Sequence, residues 1–442
     1  MTHDLHEIED CFQGVIPSYL ATCSADGEPN VVCVSILHLL PHNRVGVSCQ
    51  FMNKTLRNLR ETGLAQVIAF HPWTLGEYRL DLRFERLLES GPMFDKMSAT
   101  LAGVASQSGL KGSTFALASV AEFEVVSWCK TTPERDSAQP PKASADPIAQ
   151  LDRISAAMEA ATDLDALFDR TFEALACELG LAHSFLLLAD GVEEQLYNVA
   201  SHGFEQARFG AEIAIGEGLY GTAAARRLAI RTGSMRRERL MAQAVARESD
   251  HADPTYLALP GLPGAESSLA VPVVRGERCL GVLCFQSERA GAFSESLEKT
   301  VTIVARHLSA MIGLLGANAK DVELSAKRGP VGGRALATRV KFFESDGSIF
   351  IDEEYLIKGV AGRILWRVLS NYVADQRDEF SSKEIRLDPD VGLPAIKDNL
   401  EARLIALRKR LIERAAAFRI EKTGRGRFRL EVSRELLLER RT

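Results

Sequence analysis

Two stretches of this 442-residue chain are ill suited to a packed core, and their positions fix its architecture. Residues 130–146 (KTTPERDSAQPPKASAD) combine proline, serine and charge without a large apolar side chain. Residues 317–333 (ANAKDVELSAKRGPVGG) end in a run hostile to helix. Both read as linkers. They leave units of 1–129, 147–316 and 334–442, each of ordinary domain size.

Charge separates these units. The chain carries −6 overall, yet residues 334–442 hold 23 basic and 18 acidic residues, so the remainder carries −11. Between Lys397 and Arg429 there are 11 basic and 4 acidic residues. A concentrated positive patch on an acidic chain is the electrostatic footprint of a nucleic-acid module. The acidic start, Met1 to Gly14, and the lack of any run of 18 apolar residues argue against secretion and a membrane span, and so for the cytoplasm. The eight cysteines form no CxxC and suit reduced thiols rather than a disulfide framework or a zinc site.

In the first unit YLATCS, VVCVSIL, RVGVSCQ and AQVIAF are short β-branched runs separated by turns such as ADGEPN and PHNR. After the third comes FMNKTLRNLRETG, where Lys54, Thr55, Arg57 and Asn58 open a helix. A helix start with Lys and Thr favours an anion, because free N–H groups point at it. This order resembles the flavin-binding split barrels of the pyridoxamine-phosphate-oxidase superfamily over about residues 8–128. The resemblance implies FMN, its phosphate near Ser48, Gln50, Asn53, Lys54 and Thr55, with Asn58 beside them. Where that family has an arginine early in the second strand, this chain has Asn30, which argues against oxidase activity. Some relatives hold haem instead, for which His38, His42 and His71 are the ligands on offer. The alternating run Tyr78 to Gly91 predicts a strand whose Arg79, Arg83 and Arg86 lie on a solvated face.

The second unit opens with IAQLDRISAAMEAATDLDALFDRTFEALACELG, read as an amphipathic helix with Ile148, Leu151, Ile154 and Met158 on its apolar stripe and Cys177 in the core. The strand HSFLLLAD follows, then a glycine-rich crossing, the paired strands SSLAVPVVRGERCLGVLCFQSE and a final helix. Cys279 and Cys284, five apart, face opposite sides of a straight strand and read as structural. GEGLYG at 216–221, AVPV and LGVL are landmarks that resemble a GAF domain over about 148–314. That likeness implies a small-molecule ligand without naming it. On the last helix Leu297, Val301, Val304, Leu308, Met311 and Leu315 follow a heptad spacing that predicts a parallel seam and a homodimer.

The third unit reads as short strands, a helix over AGRILWRVLSNYVADQ, a short helix capped at Ser381 or Ser382, a long helix over KDNLEARLIALRKRLIERAAA and the hairpin FRIEKTGRGRFRLEV. Over about 340–432 it resembles the winged helix of OmpR/PhoB-like output domains. At 100° per residue Leu400, Leu404, Leu407 and Leu411 form the stripe that meets the core. The opposite arc holds Asn399, Ala402, Arg403, Ala406, Lys409 and Arg410, a face suited to base edges. Arg425, Arg427 and Arg429 alternate along the wing, suited to phosphate or the minor groove.

The sequence thus predicts a multidomain α+β chain of split β-barrel, α/β GAF sensor fold and winged helix-turn-helix. Its predicted role is that of a homodimeric one-component transcription regulator on double-stranded DNA, sensing a redox or small-molecule signal. The alternative is a flavin-dependent or haem-binding oxidoreductase with accessory GAF and winged-helix domains. No residue is assigned to catalysis or to a metal.

Overall fold

A computed structural model describes residues 4–50, 52–107, 116–132, 146–190, 194–234, 258–317, 337–393, 400–424 and 426–441. Within the N-terminal unit the strands are β1 (Ser18–Cys23), β2 (Pro29–Val34), β3 (Leu37–Leu40), β4 (Arg44–Cys49), β5 (Leu64–Phe70), β6 (Glu77–Leu88) and β7 (Ser119–Lys130), with helices α1 (Asn53–Thr62) and α2 (Pro92–Gln107). They form one antiparallel, curled sheet in the order β2-β1-β5-β6-β7-β4-β3. The run VVCVSIL is two strands, because Ser35 and Ile36 break it and Ile36 N–H instead donates to the Ser48 hydroxyl. Along β6 the alternation holds from Tyr78 to Phe84, with Leu80 and Leu82 buried and Arg83 paired with Glu124, until a bulge at Glu85 shifts the register and sets Arg86 against Glu122 on β7.

The middle unit comprises α3 (Pro147–Glu159), α4 (Leu164–Leu179), β8 (His183–Asp190), β9 (Gln195–His202), β10 (Glu212–Ala214), α5 (Gly218–Arg226), β11 (Ile230–Thr232), β12 (Ser267–Arg275), β13 (Arg278–Ser287) and α6 (Glu295–Ala317). Its antiparallel sheet runs β10-β9-β8-β13-β12-β11. The opening helix is not continuous. Asp163 is extended and its carboxylate accepts from Ala166 N–H at 2.9 Å, capping a new helix. Consequently Ile148 stays 77% exposed while Ile154 and Met158 reach the core, and Cys177 turns outward rather than inward. Cys279 and Cys284 face the same side after all. A bulge leaves Leu280 unpaired between Gly281, opposite Val273, and Cys279, opposite Val274, and one extra residue reverses the alternation. All eight cysteines are free thiols.

Continuous apolar runs such as FLLLA belong to strands covered on both faces. Leu186 and Leu188 look toward α3, α4 and α6, whereas Phe185 and Leu187 look toward α5. The heptad stripe of α6 is part of this packing. Val301, Val304 and Leu308 are 0–3% exposed against the unit's own core, so the seam that predicted a dimer is filled from within the chain.

Helix α2 leaves the N-terminal unit to cover the other face of the same sheet. Ala99 joins the cluster of Leu219, Ala223 and Ile230, and Ser106 accepts the Gly218 N–H at 2.6 Å. Gly103 keeps this approach close: a Cβ there would stand 3.2 Å from Leu219 and 3.3 Å from Ile230, and those side chains would have to give by a few tenths of an ångström.

The C-terminal unit runs β14 (Thr338–Phe343), β15 (Ile349–Ile351), β16 (Glu354–Ile357), α7 (Gly359–Asp375), β17 (Glu379–Ser381), α8 (Ser382–Leu387), α9 (Leu400–Glu413), β18 (Phe418–Gly424), β19 (Arg427–Val432) and β20 (Leu436–Arg441). Ser381 caps α8, its hydroxyl accepting from Glu384 N–H at 3.2 Å. Strand β20 returns to pair in parallel with β14, closing a sheet of order β16-β15-β14-β20, while β17-β19-β18 form a second. The principal core draws only on residues of this unit, from Val340 to Leu438. No helix among the described residues is long and apolar enough to cross a membrane.

Burial of the α6 stripe predicts how it responds to charge. Val304→Glu and Leu308→Glu each place an ion where it costs several kcal/mol. The double variant should lose the middle unit's thermal transition. A double variant that melts like the parent but changes its light-scattering mass would show instead that the stripe lies between copies.

Candidate nucleic-acid interface

Helix α9 is shaped by two burials. Leu400, Leu407 and Leu411 are at most 1% exposed in the core of their own unit, with Leu404 packed beside them, as the stripe predicts. The opposite face is also covered. Ala402, Ile405 and Ala406 belong to the core of the middle unit, over β9 and beside α4. Burying Ile405 contributes roughly 1.5–3 kcal/mol, and the two alanines let the helix backbone come close.

Charges surround this apolar strip. The Arg403 guanidinium lies 2.6 Å from the Asp190 carboxylate, with side chains only 4% and 5% exposed, and its Cζ sits over the Tyr197 ring, 5.2 Å from the centroid. Such a pair contributes little net stability, but removing one partner strands a buried charge at about 3–5 kcal/mol. Toward the rim Arg408 meets Asp165, Lys409 lies 3.1 Å from Asp165 and 2.8 Å from Asp169, and Lys422 lies 2.9 Å from Asp163. Glu413 accepts from Arg208 N–H at 3.0 Å, and Lys358 faces Glu212 at 3.5 Å.

The structure therefore sorts the residues expected to meet DNA. Arg403, Ala406 and Lys409 share one face and face the middle unit. Arg410 turns inward, its Nε donating to the Leu356 carbonyl at 3.0 Å and a terminal nitrogen pairing with Glu413 at 2.7 Å. Arg427 lines the cleft between α4 and the hairpin, and Arg429 pairs with Glu379 of β17. Asn399 and Arg425 lie outside the described residues. Sequence reasoning missed Asp163, Asp165, Asp169 and Asp190, although DLDALFD is an acidic cluster and the first two units together carry the excess negative charge.

The residues expected around a flavin phosphate are turned to one another. Asn30 donates to the Thr55 hydroxyl at 2.9 Å and Asn58 donates to Thr22 at 3.2 Å, with Thr55 and Asn58 each 1% exposed. Ser48 accepts from Ile36 N–H, Gln50 accepts from the Ser35 hydroxyl at 2.8 Å, and Lys54 pairs with Glu28 at 2.9 Å. Asn53 begins α1 behind Met52, whose side chain caps nothing. Of the histidines proposed for haem, His71 accepts backbone N–H groups from Trp73 and Thr74 through Nδ1, and His42 sits exposed in a turn.

Comparison with known proteins bears on the middle unit. A family model described as GAF domain matches residues 161–313. Residues 161–313 are a GAF domain. No curated protein sequence matches the chain significantly. Among solved structures it is similar to the GAF domain of an Acinetobacter phosphoenolpyruvate-protein phosphotransferase, at 22% identity over 38% of this chain and 94% of that one, TM-score 0.32. It is also similar to free methionine-R-sulfoxide reductase from Neisseria meningitidis, at 22% identity over 41% and 98%, TM-score 0.32. An FMN-binding protein from Syntrophomonas wolfei subsp. wolfei matches at 20% identity over 30% and 88%, TM-score 0.25. The GAF domain is thus the body on which α2 docks from one side and α9 from the other.

His38 lies at the first of these junctions, 3.9 Å from Glu295 of α6 and near Lys96, Arg231 and Glu298. Burial foremost, with the Lys96 charge next, pushes its pKa down to about 4 from 6.5. Between those values unfolding takes up a proton. The stability owed to the neutral imidazole is complete above about pH 6.5 and is lost as pH falls toward 4. Thermal melts at pH 7 and pH 5 should show a drop in the parent that His38→Gln reduces; an equal drop in both would remove His38 from the acid response.

Proposed function

We propose that the chain is a one-component transcription regulator in which residues 334–442 form a winged helix on double-stranded DNA, with the GAF domain and the N-terminal barrel supplying the signal. A GAF domain supports a signal-sensing role. One observation carries the DNA-binding half of the reading. A unit with its own principal core presents a short helix, then a helix bearing Arg403, Arg408 and Lys409, then a hairpin bearing Arg427 and Arg429. Such a helix fits the major groove and such a hairpin fits flanking phosphates. For the barrel, FMN is the cofactor its resemblance names and haem the alternative. The absorption spectrum of the purified protein distinguishes flavin bands, a Soret band or neither.

Homodimerisation belongs to this proposal through a face other than α6. On the outer side of β1 and β2, Tyr19 and Val31 are 42% and 63% exposed. A monomeric mass by light scattering at micromolar concentration would remove the dimer from the proposal.

The test of DNA binding uses residues 334–442, whose core is self-contained. The fragment should bind duplex DNA with log K falling linearly in log salt, by about 0.9 per phosphate neutralised. Arg427→Ala should weaken all sequences nearly alike and flatten that slope by about one unit. A fragment that binds no duplex from a genomic library at low salt sinks the reading.

A further inference from the structure

We infer that the acidic face of the GAF domain is an internal competitor for nucleic acid, and that the chain in this conformation is closed to DNA. The inference rests on the DNA-binding reading above and concerns how that site is regulated.

The argument is one of exclusive faces. Helix α9 cannot release Leu400, Leu407 and Leu411 without emptying the core of its own unit. Only the opposite face is left for a groove, and that face carries Ala402, Arg403, Ala406 and Lys409, all set against the GAF domain. A groove that admits a helix must meet the face now occupied by β9 and α4, so docking and DNA binding exclude each other.

The GAF surface also matches the charge pattern of the ligand it displaces. Asp190 meets Arg403, Asp165 meets Arg408 and Lys409, Asp169 meets Lys409, and Asp163 meets Lys422. The contacts run from the helix to the first strand of the hairpin, the two elements expected to follow phosphates. Four carboxylates on one domain thus occupy cations that would otherwise release counterions from DNA.

The experiment uses the full chain. Asp165→Asn with Asp169→Asn neutralises carboxylates that are 23% and 56% exposed, which leaves both cores intact. Asp190→Asn is the stronger variant, because it strands Arg403 in the interface. Amide hydrogen exchange across residues 402–409 reports docking without reference to DNA. Binding to a duplex library at fixed salt reports access, with the 334–442 fragment as the open reference.

Both variants should exchange faster than the parent over 402–409 and bind duplex at least about tenfold tighter, approaching the fragment. The inference is overturned if the full-length parent already binds as tightly as the fragment and the variants change nothing, an outcome that leaves the DNA-binding reading standing. It is overturned differently if the variants exchange faster yet neither they nor the fragment binds duplex, for then the DNA-binding reading itself has failed. Should Asp190→Asn not fold, the rim pair alone decides, by the same two readouts.

Discussion

The GAF sheet has two apolar faces, and among the described residues helices from both neighbouring units complete their cover. On one face α5 leaves room that α2 of the N-terminal unit fills with Ala99 and Gly103. On the other, α3, α4 and α6 cover β8, β12 and β13, while the apolar residues of β9 are completed by Ala402, Ile405 and Ala406 of α9. Burial of this kind is non-directional and scales with area, so both terminal units are held because they finish the middle core. The linkers connect the units, but the sheet arranges them.

Charge then sets where α9 lies on that surface. A buried ion pair is a poor source of net stability and a good source of register, because one misplacement leaves a charge without a partner. Arg403 suits the position better than a lysine would, since a planar guanidinium can meet Asp190 and lie over Tyr197 at once. At the rim, Lys409 and Lys422 keep partial exposure and add less, as screened pairs do. The apolar strip supplies the attraction and the Arg403 pair supplies the address.

Much of this was legible in the amino-acid sequence, and the failures share a cause. Strand alternation from Tyr78 to Phe84, the Ser381 cap and the leucine stripe of α9 are local patterns and are found as read, while beyond Phe84 a bulge breaks the alternation and the strand ends at Leu88. Patterns with two possible partners do not name the partner. The heptad stripe of α6 signals an apolar face, and spacing alone cannot say whether a second copy or the domain's own sheet fills it. The alanine-and-arginine face of α9 signals close approach and anion recognition, which an aspartate-lined sheet satisfies as well as a phosphate does. Cys279 and Cys284 were misplaced by a bulge, which adds one residue without disturbing composition. Around α1, Lys54, Thr55 and Asn58 are phosphate-binding residue types, but Asn30 and Thr22 take their hydrogen bonds and Glu28 takes the lysine. Residue type names a chemistry, and the nearest partner decides where it is used.

The two docking surfaces lie on opposite sides of one sheet, which gives the proposed regulator a short path between signal and output. Successive residues of β8 belong alternately to the two clusters, Phe185 and Leu187 to the side of α2 and α5, Leu186 and Leu188 to the side of α4 and α9. A strand that shifts carries side chains on both faces with it, and a close-packed interior transmits such strain. A ligand can act through this path only by the difference in its affinity for the docked and undocked chains. The N-terminal unit meets the GAF domain through Ala99, Gly103 and Ser106 at α5 and β11, on the face of the sheet opposite the one that α9 covers.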